Sequence, residues 1–195
     1  AGFLVVHSNL RGYGFSQNAF NPLGIGDTID TLNLLALLRT QAGEAGLLEK
    51  ADAEHIGIWG HSMGGGIVLR VLELDGNIGA AVLYSSINAD EKQNLEYFAS
   101  DDGRGNSPVH TTDEVLRTLS ASTYLNRITA PISIHHGEAD TVVPLEWSQQ
   151  LCNDLDALQK EVECYFYKDQ PHTFKNSGDT LFIQRMIDFF NRELK

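Results

Sequence analysis

Ile56-Gly57-Ile58-Trp59-Gly60-His61-Ser62-Met63-Gly64-Gly65-Gly66 is the stretch that decides the fold. A short apolar run ends in Gly60-His61-Ser62-Met63-Gly64, a G-x-S-x-G pattern, and an apolar helical run from Ile67 to Leu74 follows at once. Strand, abrupt turn and helix in that order are what a nucleophile elbow requires. The turn projects a serine hydroxyl clear of the backbone, and small residues two positions before and after it avoid a collision across the turn. Ser62 then sits at a helix N-terminus, where backbone N–H groups favour developing negative charge. The Met63 amide becomes the natural oxyanion donor. The pentapeptide alone also fits a glycine-rich turn without chemistry, and the flanking strand and helix favour the reactive serine.

The 195 residues suit one domain, residues 1–195, with enough chain to bury a real core. Hydrophobic content of 42% and charged content of 21% are ordinary for a globular protein. No apolar run approaches the length of a membrane span. The net charge of −12, with no cluster of Lys and Arg, argues against nucleic acid or an anionic membrane surface as partner. No signal peptide is expected. Cys152 and Cys164 are too few for a disulfide scaffold. One falls in a predicted helix and the other in the following strand, which predicts two free, packed thiols.

Outward from the elbow, strands alternate with helices. Phe3-Leu4-Val5-Val6 reads as a buried parallel strand, followed by a Gly-punctuated loop, Asn9 to Ser16. Asp27 begins a helix with Ile29, Leu32, Leu35 and Leu38 on one stripe, ending near Gly43. Ala80 to Tyr84, Pro131 to Gly137 and Val162 to Tyr167 are the further strands. Leu145 to Leu158 is helical, and the last helix carries Phe182, Met186, Phe189 and Phe190 on one face. The polar segment 88–127 reads either as a lid-like insertion or as a plain surface excursion. The alternation implies an α/β fold, a mostly parallel sheet of about five strands with helices on both faces.

In such sheets active groups collect in loops at the carboxyl ends of strands. Ser62, Asp140 and His172 each occupy such a loop, in the chain order Ser…Asp…His. His172, Pro-flanked after the last strand, is the candidate general base. Asp140 is the residue to orient it, with Glu138 the local competitor. His61, directly before the serine, and Tyr13, in the loop after the first strand, are assigned to substrate contact. Consecutive strand residues face opposite sides, so His135 and His136 cannot easily share one metal, and no catalytic metal is expected.

These residues together resemble an α/β-hydrolase, and more closely the catalytic domain of the prolyl oligopeptidase family with its dienelactone-hydrolase-like and esterase relatives. The matching stretches are Asn9-Leu10-Arg11-Gly12-Tyr13-Gly14, Gly60 to Gly65, His136-Gly137…Asp140…Val143-Pro144 and Pro171-His172-Thr173-Phe174. The resemblance implies nucleophile Ser62, acid Asp140 and base His172, an acyl-enzyme mechanism and no cofactor. Met63 after the nucleophile inclines it toward an esterase of small-molecule esters. A peptidase of the prolyl oligopeptidase type is the alternative, and an inert fragment or interaction module is the second. The resemblance also implies a further strand, missing here, between the first strand and the elbow strand, together with a His-Gly loop giving a second oxyanion N–H. Three remedies follow: the first strand shifts to pair with the elbow strand, a partner chain covers the edge, or the chain is a piece of a longer protein. The first two predict a second oxyanion amide from Asn9–Gly12 or from a partner, and the exposed N-terminal strand edge predicts a homodimer.

Overall fold

A computed structural model describes residues 2–99 and 111–195. Four strands, β1 (Gly57–His61), β2 (Ala80–Tyr84), β3 (Ile132–Gly137) and β4 (Val162–Tyr167), pair in parallel in the order β1-β2-β3-β4. Parallel neighbours need crossover connections. The helices that supply them are α2 (Met63–Leu74) from β1 to β2, α3 (Glu91–Ala99) and α4 (Asp113–Leu119) from β2 to β3, and α5 (Leu145–Ala157) from β3 to β4. Helix α1 (Ile25–Gln41) precedes β1, and α6 (Asn176–Glu193) follows β4.

The period of two along β2 divides the core. Ala81 and Leu83 face one side, where they meet Ile67, Val71 and Leu72 of α2, Leu35 of α1, and Leu151 and Leu155 of α5. Ala80, Val82 and Tyr84 face the other, against Phe182 and Phe189 of α6 and Leu194. Alternate side chains thus feed two apolar layers, and helices on both faces keep the parallel sheet out of water.

The sheet has four strands where about five were expected. Phe3–Val6 joins no ladder among the described residues, and Leu4, Val5 and Val6 are exposed. Phe3 alone docks, edge-on to Phe190 of α6 with ring centroids 6.2 Å apart. The run does not shift over to β1 either: among the described residues β1 pairs with β2 alone, and Trp59 remains 47% exposed. An apolar run is suited to a sheet, but a strand exists only where its N–H and C=O groups find a neighbour.

One further expectation changes. Cys152 on α5 and Cys164 on β4 are not free thiols but form a disulfide, with Cα atoms 6.5 Å apart. Cys164 pairs in register with Ile134 on the side that α5 covers, so the rotation of α5 over β4 brings the thiols together. Within segment 88–127, residues 100–110 lie outside the described residues. The described flanks are docked onto the body. Arg70 of α2 and Glu91 of α3 form a buried ion pair, Arg70 Nε donates to the Leu119 carbonyl at 3.5 Å, and the Glu91 amide donates to Ser120 Oγ at 2.8 Å. Buried charges are tolerated when paired and hydrogen-bonded in this way.

Glu73, also on α2, lacks such support. Its Oε1 is buried without a hydrogen-bond partner among the described residues. Burial raises its pKa from 4.5 to about 8 even though Arg70 and Arg127 pull it down. Between those values the folded protein holds a proton that the unfolded chain has released, so stability present at acid pH is lost as pH rises toward and past 8. The expected outcome is a Tm that falls for the wild type between pH 5 and pH 9, about the window of that shift. Glu73→Gln should flatten the fall, as followed by differential scanning fluorimetry.

Candidate active site

Ser62 stands between the last residue of β1 and the first of α2, at φ 56° and ψ −119°. A non-glycine residue there costs on the order of 1–3 kcal/mol and persists only when its surroundings hold it. They do. The Ser62 amide donates to the Tyr84 carbonyl at 2.9 Å, and the Ser62 carbonyl accepts from the amides of Gly65 at 3.0 Å and Ile87 at 3.2 Å. A Cβ on Gly60 would overlap the Gly64 carbonyl, which explains the glycine two before the serine. The glycine two after it, Gly64, faces open space instead, and the tight position is Gly65, which abuts Ser86. Met63 opens α2, so its amide is among the first N–H groups that a helix leaves unpaired.

Asp140 follows β3, and its side chain is fully buried. Its Oδ1 accepts from the amides of Val142 at 2.8 Å and Val143 at 3.0 Å. Its Oδ2 lies 2.7 Å from His172 Nδ1 and 3.2 Å from His136 Nε2. Burial alone would raise the carboxyl's pKa, but the Val143 amide, His172 and the Val142 amide together bring it below its ordinary value. The ionised carboxylate only accepts hydrogen bonds, so Nδ1 of His172 carries a proton and Nε2 is left as the basic nitrogen of the neutral ring. Glu138, the competitor, is exposed.

The loop carrying His172 follows β4 and is held by the strands beside it. His61 Nε2 donates to the His172 carbonyl at 3.0 Å, and the two rings lie 4.6 Å apart. His61 also stacks on Tyr84 at 4.3 Å, and the Tyr84 hydroxyl accepts from the Phe174 amide. Burial lowers the pKa of His61 and raises that of Tyr84, so both are neutral near pH 7. His61 therefore supports the base loop. Tyr13 is 58% exposed, and among the described residues it makes no hydrogen bond or ring contact to Ser62, Asp140 or His172. In its loop the Gly12 amide already donates to Gln17 O at 3.0 Å, which removes it from the expected oxyanion donors. Arg11 ties the same loop to α1 through Asp30, at 2.6 and 2.8 Å.

His135 and His136 do point to opposite sides of β3. His135 lies under α6, 2.7 Å from Tyr167 Oη and 2.8 Å from Ser133 Oγ, and burial, with Arg185 nearby, drives its pKa down to about 3. His136 faces the Asp140 loop. Sequence reasoning missed Tyr84 and His136 as site residues. The signal for Tyr84 was its place as the last residue of the strand beside the elbow; that for His136 was its place immediately before Gly137 at the end of β3.

A parallel sheet with an elbow serine after β1, a buried aspartate after β3 and a histidine after β4 defines a shortened α/β-hydrolase fold. The chain belongs to the prolyl oligopeptidase family, a family of serine hydrolases, whose model matches residues 1–195. A Schizosaccharomyces pombe protein with the inferred name of a dipeptidyl aminopeptidase is 29% identical over 205 residues, covering 95% of this chain and 23% of that one. The chain thus spans about a quarter of the length of this curated relative. Among solved structures, an acylaminoacyl peptidase from Pyrococcus horikoshii matches with TM-score 0.69 and 24% identity over 88% of this chain and 28% of that one. An esterase from Pyrococcus furiosus matches with TM-score 0.65 and 21% identity over 96% of this chain and 69% of that one.

Tyr84→Phe would leave the buried Phe174 amide without its acceptor. The expected loss of stability is about 1–3 kcal/mol, read as a lower midpoint in urea unfolding at an unchanged slope.

Proposed function

We propose that this domain hydrolyses carboxylic esters of modest size through an acyl-enzyme on Ser62. The observation that carries the reading is the 2.7 Å contact between buried Asp140 and His172, in a loop whose His172 carbonyl is held by the ring of His61, the residue preceding the elbow serine. His172 Nε2 takes the proton from Ser62 Oγ as that oxygen attacks the acyl carbon. The Met63 amide, at the positive end of α2, donates to the oxyanion. The C–O bond to the leaving group breaks as His172 returns the proton to the departing alkoxide. Water, deprotonated by the same nitrogen, then releases the acid and restores Ser62. Asp140 holds the ring in the tautomer this needs and stabilises it when charged.

Amide substrates use the same groups, and the names of the Schizosaccharomyces pombe and Pyrococcus horikoshii relatives favour a peptidase as the second reading. The test is hydrolysis of p-nitrophenyl acetate and butyrate against aminoacyl p-nitroanilides. Ser62→Ala is expected to abolish turnover, and Asp140→Asn to lower kcat by ~10⁴-fold. Faster anilide than ester turnover would replace the ester reading with the peptidase one. Wild type no faster than Ser62→Ala on every substrate, with no fluorophosphonate label on Ser62, would leave an inert module.

We also infer self-association along the open edge of β1, since an unpaired strand edge invites a second strand. Sedimentation velocity should show a coefficient that rises with micromolar concentration, and a constant monomer value would overturn it.

A further inference from the structure

We propose that His136 is a positioning residue for the Asp140–His172 pair, holding from beneath the same carboxylate oxygen that His172 engages, with Ser148 of α5 setting its tautomer. The proposal rests on the reading of Ser62, His172 and Asp140 given above.

His136 is fully buried at the end of β3. Its Nε2 lies 3.2 Å from Asp140 Oδ2 and 3.1 Å from the Val143 carbonyl. Both of those oxygens only accept, so Nε2 carries the proton and shares it between them. Its Nδ1 lies 2.7 Å from Ser148 Oγ. In a neutral ring that nitrogen is an acceptor, so the serine hydroxyl donates to it and Nε2–H is the tautomer retained. Burial lowers the ring's pKa more than Asp140 raises it, which keeps the ring neutral at the pH where a serine hydrolase works.

The consequence falls on Asp140. Two amides hold Oδ1 and two imidazole N–H groups hold Oδ2. With donors on both oxygens the carboxylate cannot rotate about its Cβ–Cγ bond without breaking several of them. Oδ2 is thereby kept facing His172, and His172 kept facing the elbow. His136 also withdraws negative charge from Oδ2, as any hydrogen-bond donor to a carboxylate does. Removing it makes Oδ2 a stronger partner for the protonated His172, so the base gives up its proton at higher pH. The other titratable groups facing this pair are His61 on β1 and Tyr84 on β2, the latter under Asp179 of α6. Neither is hydrogen-bonded to His136.

The test compares His136→Gln, whose side-chain amide still presents an N–H toward Oδ2, with His136→Leu, which presents none, in the full chain with folding checked by near-UV circular dichroism. Ser148→Ala leaves the imidazole in place and removes the hydroxyl that sets its tautomer. Each is read by kcat, KM and the pH–rate profile on p-nitrophenyl acetate, and by the downfield proton NMR signal of the His172 Nδ1–H held by Asp140. His136→Leu should lower kcat by ~10- to 100-fold, leave KM unchanged, move the acid limb of the profile to higher pH, and shift or broaden the downfield signal. His136→Gln should restore most of each, and Ser148→Ala should show the same changes in weaker form. Equal losses in the Gln and Leu variants, or an acid limb and downfield signal unmoved in His136→Leu, would overturn the proposal. If His136→Leu does not fold, wild-type behaviour of Ser148→Ala overturns it. Absence of Ser62-dependent turnover in the wild type would sink the hydrolase reading alone, since the downfield signal still reports whether His136 holds Asp140.

Discussion

In the parallel ladder His61 lies opposite Tyr84, Tyr84 opposite His135, and His136 opposite Phe166. This register places the carboxyl ends of all four strands along one edge of the sheet, and every group of the candidate site leaves from that edge. Because hydrogen bonds set the strand spacing at about 4.8 Å, side chains at the ends of adjacent strands come within contact of each other. The stacking of His61 on Tyr84 is a local result of that spacing, whereas His136 reaches Asp140 through the loop that follows its own strand. If the register slipped by one residue, every side chain would change faces. His136 would then turn toward α6 and away from the Asp140 loop.

The same edge holds the strained residue of the chain that matters most. Ser62 is kept in a left-handed conformation by hydrogen bonds from its own amide and to its own carbonyl, with partners on β2, α2 and the segment after β2. The elbow is thus an element of the sheet's end rather than a free turn. Asp140 is handled likewise: a buried carboxylate is costly unless its oxygens are satisfied, and here each oxygen has two donors. Both residues spend stability gained by the apolar layers on either side of the sheet, which is the usual relation between a scaffold and its site.

Where the sheet is not closed, the chain shows it. Among the described residues β1 has one neighbour, Trp59 is half exposed, and of Phe3–Val6 only Phe3 packs against the core while Leu4, Val5 and Val6 stay exposed. An apolar segment that finds no ladder partner remains a surface strip. The loop that follows is ordered by other means, the Arg11–Asp30 ion pair and its own backbone hydrogen bonds.

The sequence by itself determined the alternation of strand and helix, the positions of β2 and β4 to the residue, the elbow at Ser62, and the order in which Ser62, Asp140 and His172 come to the sheet's edge. Those features are local: apolar period, turn residues and loop position are all written within a few residues of each other. Only the tertiary structure decided the rest. Whether Phe3–Val6 becomes a strand depends on a neighbour far away in the chain, which no local pattern records. Whether Cys152 meets Cys164 depends on how α5 is rotated over β4. Which glycine of the elbow is sterically required depends on what stands opposite: Gly65 meets Ser86 and Gly64 meets nothing. And His136 reads from sequence as one of two buried strand histidines. Its contact with Asp140 arises only when the loop after β3 folds back over the strand's end, bringing together a ring and a carboxylate whose hydrogen bond no spacing rule predicts.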